Sequence, residues 1–203
     1  MEHPNKNIVK GRACMEETII YLVRHGVTDS NKKKIYMGWR EEELNEEGIK
    51  QVNELGIKLK DNGISKIYTS PIRRAVQTAE ILNRYLLTGI IIKEDLIEMK
   101  LDKWEGMAEE EIKLRYPREW EIWNKRPAEL RLPKRETLSS VQERSIGAIK
   151  RILNENNKRR VIAVTHVAVI RCLILFFKNL DLNLYKGIDV PNSSIFELKF
   201  STG

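Results

Sequence analysis

The stretch Thr18-Ile19-Ile20-Tyr21-Leu22-Val23-Arg24-His25-Gly26 (TIIYLVRHG) decides how the rest of the chain is read. Residues 18–23 are apolar, β-branched and aromatic, the content of a buried strand, and the run stops at Arg24. A guanidinium and an imidazole therefore stand where a strand ends, and Gly26 is expected to let the backbone turn sharply behind them. In open α/β sheets ligands bind beyond the carboxyl ends of the strands, so this is an address for chemistry if partners converge on it.

The same grammar recurs along the chain. Residues 29–43 read as a polar loop. Asn45 is placed to cap a helix whose apolar side is Ile49, Val52, Leu55, Ile57 and Leu59, with Gly63 as its C-cap. Residues 64–69 form a second short strand. Ser70-Pro71 then reads as the N-cap and first position of a helix carrying Ile72, Val76, Ala79, Leu82 and Leu86 on one side. Gly89 closes it, and 90–93 is a third strand. The periodicity loosens from 94 to 132, where two short helices are expected over 108–115 and 117–125. Thr137 opens a longer helix, with Val141, Arg144, Ile149 and Leu153 toward one side. Residues 161–165 are a nearly all-apolar strand, followed by a helix apolar almost all round; both belong at the centre. The alternating SIFELKF of 194–200 suits an edge strand. This order, βαβαβ, helices, βαβ, predicts a three-layer α/β/α fold. Its central sheet is mostly parallel, with helices on both faces and an antiparallel edge strand.

The chain has 203 residues, 41% hydrophobic and 32% charged, which fits one α/β domain over 15–203 preceded by a mobile tail, 1–14. Met15 could serve as an alternative start, and His3 is set aside with the tail. Cys14 and Cys172 show no zinc-type spacing, and a reduced, cytoplasmic setting is expected. The net charge of +7 is spread over short clusters such as Lys32-Lys33-Lys34 and Lys158-Arg159-Arg160. That is too little to argue for nucleic acid, although the field favours a small anionic substrate. The longest apolar run, 161–177, is interrupted by His166 and Arg171 and spans no membrane.

Four places put polar groups at the ends of the strands: Arg24 and His25, the pair Arg73 and Arg74, Glu98 in DLIEMKLDKWEG, and His166 after Thr165. Each has a bland explanation alone, as a surface turn, a solvated face or a satisfied core histidine. Together they describe a phosphate site. Arginines offer forked donors for phosphoryl oxygens, and the start of the helix after His166 favours an anion. Two histidines and a glutamate supply chemistry that needs no metal, and no cofactor is expected. No HxH, HExxH or paired-carboxylate cluster offers a metal alternative.

With these residues in view, the chain resembles the histidine phosphatase superfamily, the phosphoglycerate mutase-like family, from about residue 18 to 200. The resemblance rests on LVRHGVTDSN, GWREEELNEEGIKQ, TSPIRRAVQTAEI, LIEMKLDKWEG and VIAVTHVAVIRCL in that order. It implies that His25 is the nucleophile, forming a phosphohistidine as a neutral imidazole. It implies that Arg24 and Arg74 clamp the phosphoryl oxygens and that His166 is a further donor when protonated. Arg74 is preferred to Arg73 because it precedes Ala75 of the family's Arg-Ala-x-x-Thr-Ala pattern. Glu98 would be the general acid and then the base. Asn31 and Gly38 match substrate-contacting positions, and the N–H of Val167 could serve as another contact. Val27, Asp102 and Val167 depart from the family's common Glu, Gly and Gly, and Arg135-Glu136-Thr137 stands where a Gly-Glu-Ser is usual.

The family's mutases carry a longer insertion after the catalytic glutamate, so the short chain favours metal-independent hydrolysis of phosphate monoesters. The branches similar in look act on α-ribazole 5′-phosphate and on phosphoserine. Residues 107–136 are expected to be a lid that selects the rest of a small phosphorylated metabolite. That remainder is expected to be acidic or heteroaromatic. Tyr116, Trp120, Trp123, Arg126, Arg131 and Lys134 give the lid aromatic and cationic character, and for any one of the aromatics the alternative is that it merely packs the two short helices. No nucleic acid or membrane partner is expected, and a homodimer is entertained. The alternatives are phosphoglycerate mutase activity and, from another class, a non-catalytic phospho-ligand binder.

Overall fold

The computed structural model describes residues 17–201; the expected tail lies outside them. Five strands form one sheet in the order β3-β2-β4-β1-β5. They are β1 Glu17–Arg24, β2 Ile64–Thr69, β3 Ile90–Ile92, β4 Arg160–Thr165 and β5 Ile195–Ser201. The first four run parallel, and β5 pairs antiparallel with β1 at the edge. This is the expected mixed sheet.

Alternation along the central strands sorts the two faces. Ile162 and Val164 of β4 pack with α2 (Glu46–Leu59) and α3 (Arg73–Leu86), whereas Val161 and Ala163 pack with α6 (Leu138–Glu155) and α7 (Val167–Phe177). Two short helices, α4 (Glu109–Arg115) and α5 (Pro117–Lys125), extend the second face around buried Trp104 and Trp123. No described helix is long and apolar enough to cross a membrane.

Several local expectations change in the structure. The loop 29–43 contains a four-residue helix, α1 (Asp29–Lys32), held by a capping box between Thr28 and Asn31. Helix α2 is capped by Asn45 as expected, but it ends at Leu59 with Lys60 as C-cap, and Gly63 serves the turn into β2. Ile57 points to solvent. Helix α3 starts at Arg73, not Pro71, with Ile72 as its N-cap; the Ser70 hydroxyl meets His166 Nε2 and also accepts from Ile72 N. It closes on Leu87 in the left-handed region (φ 51°), two residues before Gly89.

Gly26 is needed for a reason other than the one expected. Its φ is not positive, but a Cβ there would stand 2.9 Å from both Gly48 O and Val52 Cγ2 of α2. The reciprocal Cβ on Gly48 would stand 2.2 Å from Val27 O. Glycine lets the end of β1 lie directly on α2. Asp102, where the resemblance implies a glycine, keeps the left-handed conformation (φ 52°) without one.

Candidate active site

The sheet register brings the two histidines together. Arg24 pairs with Thr165, and one residue further His25 N donates to Thr165 O at 3.1 Å, so His25 and His166 leave adjacent strands side by side. Their ring centroids are 5.2 Å apart. His25 Nδ1 lies 2.8 Å from Gly26 O. A carbonyl only accepts, so Nδ1 carries the proton and Nε2 keeps its lone pair. Arg74 Nε donates to that Nε2 at 3.3 Å.

Arg74 is itself bracketed. Its Nη2 donates to Gly38 O (2.8 Å) and its Nη1 to Arg40 O (3.0 Å). The loop offering these carbonyls is held from behind by Glu105, whose carboxylate accepts from the N–H groups of Gly38, Trp39 and Arg40. Arg73, by contrast, points outward to Glu43 and Glu80. Arg24 donates through Nη1 to Val190 O (2.5 Å), while its buried Nε has no partner among the described residues. Burial lowers the pKa of both arginines, Arg24 to about 10, with Glu98 opposing in each case.

His166 is wholly buried, with Nε2 2.6 Å from Ser70 Oγ. The Ser70 hydroxyl hydrogen has no other acceptor among the described residues, so it goes to Nε2. The proton of His166 is then on Nδ1, a buried atom without a partner among the described residues. Burial, reinforced by Arg74, holds both histidines well below the ordinary imidazole value. The two rings are neutral and surrounded by cations.

Glu98 is buried just beyond β3, and burial raises its pKa against the opposing pull of the Met99 N–H, Arg74 and Arg24. Its segment is fastened by Arg144 of α6. That guanidinium donates to the carbonyls of Asp95, Ile97 and Glu98 and forms a two-point pair with Glu136. A residue read as part of an apolar side is thus the clamp on the glutamate's loop.

Arg24, His25, Arg74, Glu98, Asn31 and Val167 all line one cleft of about 330 Å³. Gly38 and His166 do not: the Gly38 carbonyl acts through Arg74, and His166 is fully buried with its ring beside that of His25. Asn192, which the sequence did not single out, lines the cleft and donates to His25 O and Asn31 Oδ1. Of the expected lid side chains, Trp123 alone is among the cleft-lining residues. Tyr116 and Trp120 pack on the core, and Arg126 pairs with Glu129. The cations that do line the outer cleft are Lys34, Arg171 and Lys186, from three separate segments. No sequence spacing links them. Among the described residues no cluster of three or more His, Cys, Asp or Glu could hold a metal ion.

The profile of the Histidine phosphatase superfamily (branch 1) matches residues 20–203. The chain is 34% identical to the uncharacterized phosphatase PhoE of Bacillus subtilis over 184 residues, covering 91% of this chain and 89% of that protein. It is 30% identical to phosphoserine phosphatase 1 of Hydrogenobacter thermophilus, covering 86% and 83%. The solved structure of Bacillus stearothermophilus YhfR superimposes with a TM-score of 0.85 at 30% identity, covering 89% of this chain and 90% of that one. Sequence, fold and site geometry converge on one assignment: this chain belongs to the histidine phosphatase superfamily.

Proposed function

We propose that the protein hydrolyses small phosphate monoesters without a metal, through a phosphohistidine at His25. The observation that carries this reading is the His25 tautomer. Gly26 O fixes the proton on Nδ1 and leaves the Nε2 lone pair beside two buried guanidinium groups. A neutral imidazole held against fixed positive charge is the nucleophile that a phosphoryl dianion requires.

In the first step Nε2 bonds to phosphorus and the ester P–O bond breaks. Arg24, Arg74 and the Nδ1–H of His166 donate to the phosphoryl oxygens. Glu98, whose pKa burial raises, delivers a proton to the leaving alkoxide. In the second step Glu98 takes a proton from water as the water oxygen bonds to phosphorus. The N–P bond breaks, releasing inorganic phosphate and restoring both groups. Val167 and Asn31 contact the bound substrate, and residues 107–136 act as a lid that presents Trp123 to it. Phosphoserine, named in the Hydrogenobacter relative, and α-ribazole 5′-phosphate are the substrates to try first.

The test is turnover of p-nitrophenyl phosphate in EDTA by the purified chain and by His25→Ala. Turnover that disappears in the variant, with radiolabelled phosphate trapped on His25 by a quench without acid, supports the reading. Tight binding of phosphate esters with no turnover would make the protein a phospho-ligand binder. Conversion of 3-phosphoglycerate to 2-phosphoglycerate rather than to free phosphate would make it a mutase.

A further inference from the structure

The catalytic groups do not account for all the charge in the cleft. Arg24 and Arg74 face the phosphoryl position, and Glu98 is the one carboxylate among the lining residues. Further out the same cleft is lined by Arg171, Lys186 and Lys34. None of these three has an ion pair among the described residues, and Glu98 is the one carboxylate that shares the cleft lining with them. Arg171 sits one helical turn beyond Val167 on α7, so both face the same opening. Its Nε is anchored on Ile188 O (2.8 Å) and its guanidinium stacks on the Tyr185 ring at 5.0 Å. The fork is thereby held in place while both Nη atoms stay without an acceptor among the described residues. Lys186 lies over the Trp120 ring and donates to Asn124 Oδ1. Burial lowers its pKa, with Glu109 opposing and Arg171 and Lys113 adding to the fall. Between these cations and the His25 end the wall is apolar and aromatic, formed by Tyr36, Met99, Leu101, Trp123 and Tyr185.

An immobilised guanidinium without an anion, placed next to a like charge, is poised for a ligand that brings negative charge. A phosphoryl dianion at His25 offsets the inner arginines and leaves the outer cations uncompensated. We infer that the leaving group carries a second anion, a carboxylate or another phosphate, which docks on the Arg171 fork with Lys186 and Lys34 beside it. The short carbon skeleton linking the two anions lies along Tyr36 and Tyr185. This rests on the phosphomonoesterase reading and deepens it. It also locates the selectivity outside residues 107–136, on α7 and on the turn Leu182–Gly187.

The experiment compares matched esters that differ in the second anion alone. These are O-phosphoserine against O-phosphoethanolamine, 3-phosphoglycerate against glycerol 3-phosphate, and fructose 1,6-bisphosphate against fructose 6-phosphate. The wild-type chain is expected to favour the doubly anionic member of at least one pair by about tenfold or more in kcat/KM. Whether the carboxylate pairs or the bisphosphate pair shows the larger ratio identifies the anion. Arg171→Gln should collapse that ratio toward one, and Arg171→Lys should retain only part of it, since an ammonium keeps the charge and loses the anchored fork. Lys186→Gln should reduce it less. A wild-type ratio near one in every pair, or a ratio unmoved by Arg171→Gln, overturns the inference. Calorimetric binding of the same pairs gives the answer independently of turnover. If p-nitrophenyl phosphate is not hydrolysed, the catalytic reading fails by itself, while a binding preference removed by Arg171→Gln would still uphold the anion site.

Discussion

On the inner floor of the cleft Arg74 spends its guanidinium on His25 and on the carbonyls of Gly38 and Arg40. On the outer wall Arg171 commits only Nε, to Ile188 O, and leaves the rest of its fork to the cleft. The floor groups stand at strand ends or in the first turn of a helix, where the parallel ladder sets their positions. The wall groups are long side chains from α7, the Leu182–Gly187 turn and the segment after α1. Backbone-fixed chemistry and side-chain-built selectivity are thus divided between the two regions, so each can change without the other. That division is what substitutions can break.

The largest effect falls on the floor. Glu98→Gln should reduce kcat on esters with poor leaving alkoxides by about a thousandfold, within the range for general acid catalysis. Nitrophenolate hardly needs a proton, so its release should suffer much less. Equal losses on both substrates would remove Glu98 from the acid role. Next, Arg74→Lys should cost about a hundredfold in kcat/KM, because an ammonium cannot reach His25 and the two loop carbonyls together. The same exchange at Arg171 should cost less, because that side chain commits one hydrogen bond to the protein and an ammonium keeps the charge. Two similar figures for the two arginines would erase the distinction between floor and wall.

Arg144 tests whether the floor depends on groups that never meet substrate. Its five hydrogen bonds fasten residues 95–98 to α6 and Glu136. Arg144→Gln should lower turnover of poor-leaving-group esters by about tenfold, working through a displaced Glu98. p-Nitrophenyl phosphate should be affected less, and the alkaline limb of the pH profile should move. A uniform loss on all substrates, tracking a fall in Tm, would reduce Arg144 to a fold-stabilising role.

Much of the floor was legible in the chain because it is written in local patterns. The apolar runs ending in Arg24-His25 and in Thr165-His166 locate two strand ends, and TSPIRRAVQTAEI places Arg74 on the following helix. What escaped was decided at long range. Ser70 has the chemistry of a helix cap and accepts from Ile72 N, but its hydroxyl also meets His166, 96 residues away. Helix α1 has no apolar face to betray it, only its caps. Arg144 looks like an interruption in an apolar side until the carbonyls it serves come within reach. Lys34, Arg171 and Lys186 share no spacing at all, so the wall exists only once the fold is made.

Acid should destabilise the floor in a defined window. His25 and His166 have folded pKa values depressed below the 6.5 of the unfolded chain. Between the two values the unfolded chain binds protons that the folded one does not. Their contribution is therefore complete above 6.5 and is lost as pH falls below it. Glu98 acts in the opposite sense above 4.5, since burial raises its pKa and favours the folded state while it is protonated. Two histidines outweigh one glutamate in the upper part of the window. Thermal unfolding from pH 7.5 to 5 should show Tm falling with acid, and His166→Gln should flatten the fall. An unchanged slope in that variant would mean that His166 is not held neutral.

The smallest expected effect lies on the strut between the two regions. Asp102 (φ 52°) opens the turn that carries Trp104 into the aromatic core and Glu105 under the loop that brackets Arg74. A left-handed conformation costs an L-residue about 1 kcal/mol or somewhat more, less for aspartate than for most. Glycine removes that cost but adds about 0.5–1 kcal/mol of unfolded-chain entropy. Asp102→Gly should therefore move stability by no more than about 0.5 kcal/mol, whereas Asp102→Val should lose about 1–2 kcal/mol through strain at the same φ. If the turn transmits that strain to Glu105, the valine variant should also weaken phosphate binding at Arg74 while leaving the second-anion ratio at Arg171 intact. Valine tolerated as well as glycine would show that the backbone here relaxes freely, and that the floor does not depend on this turn.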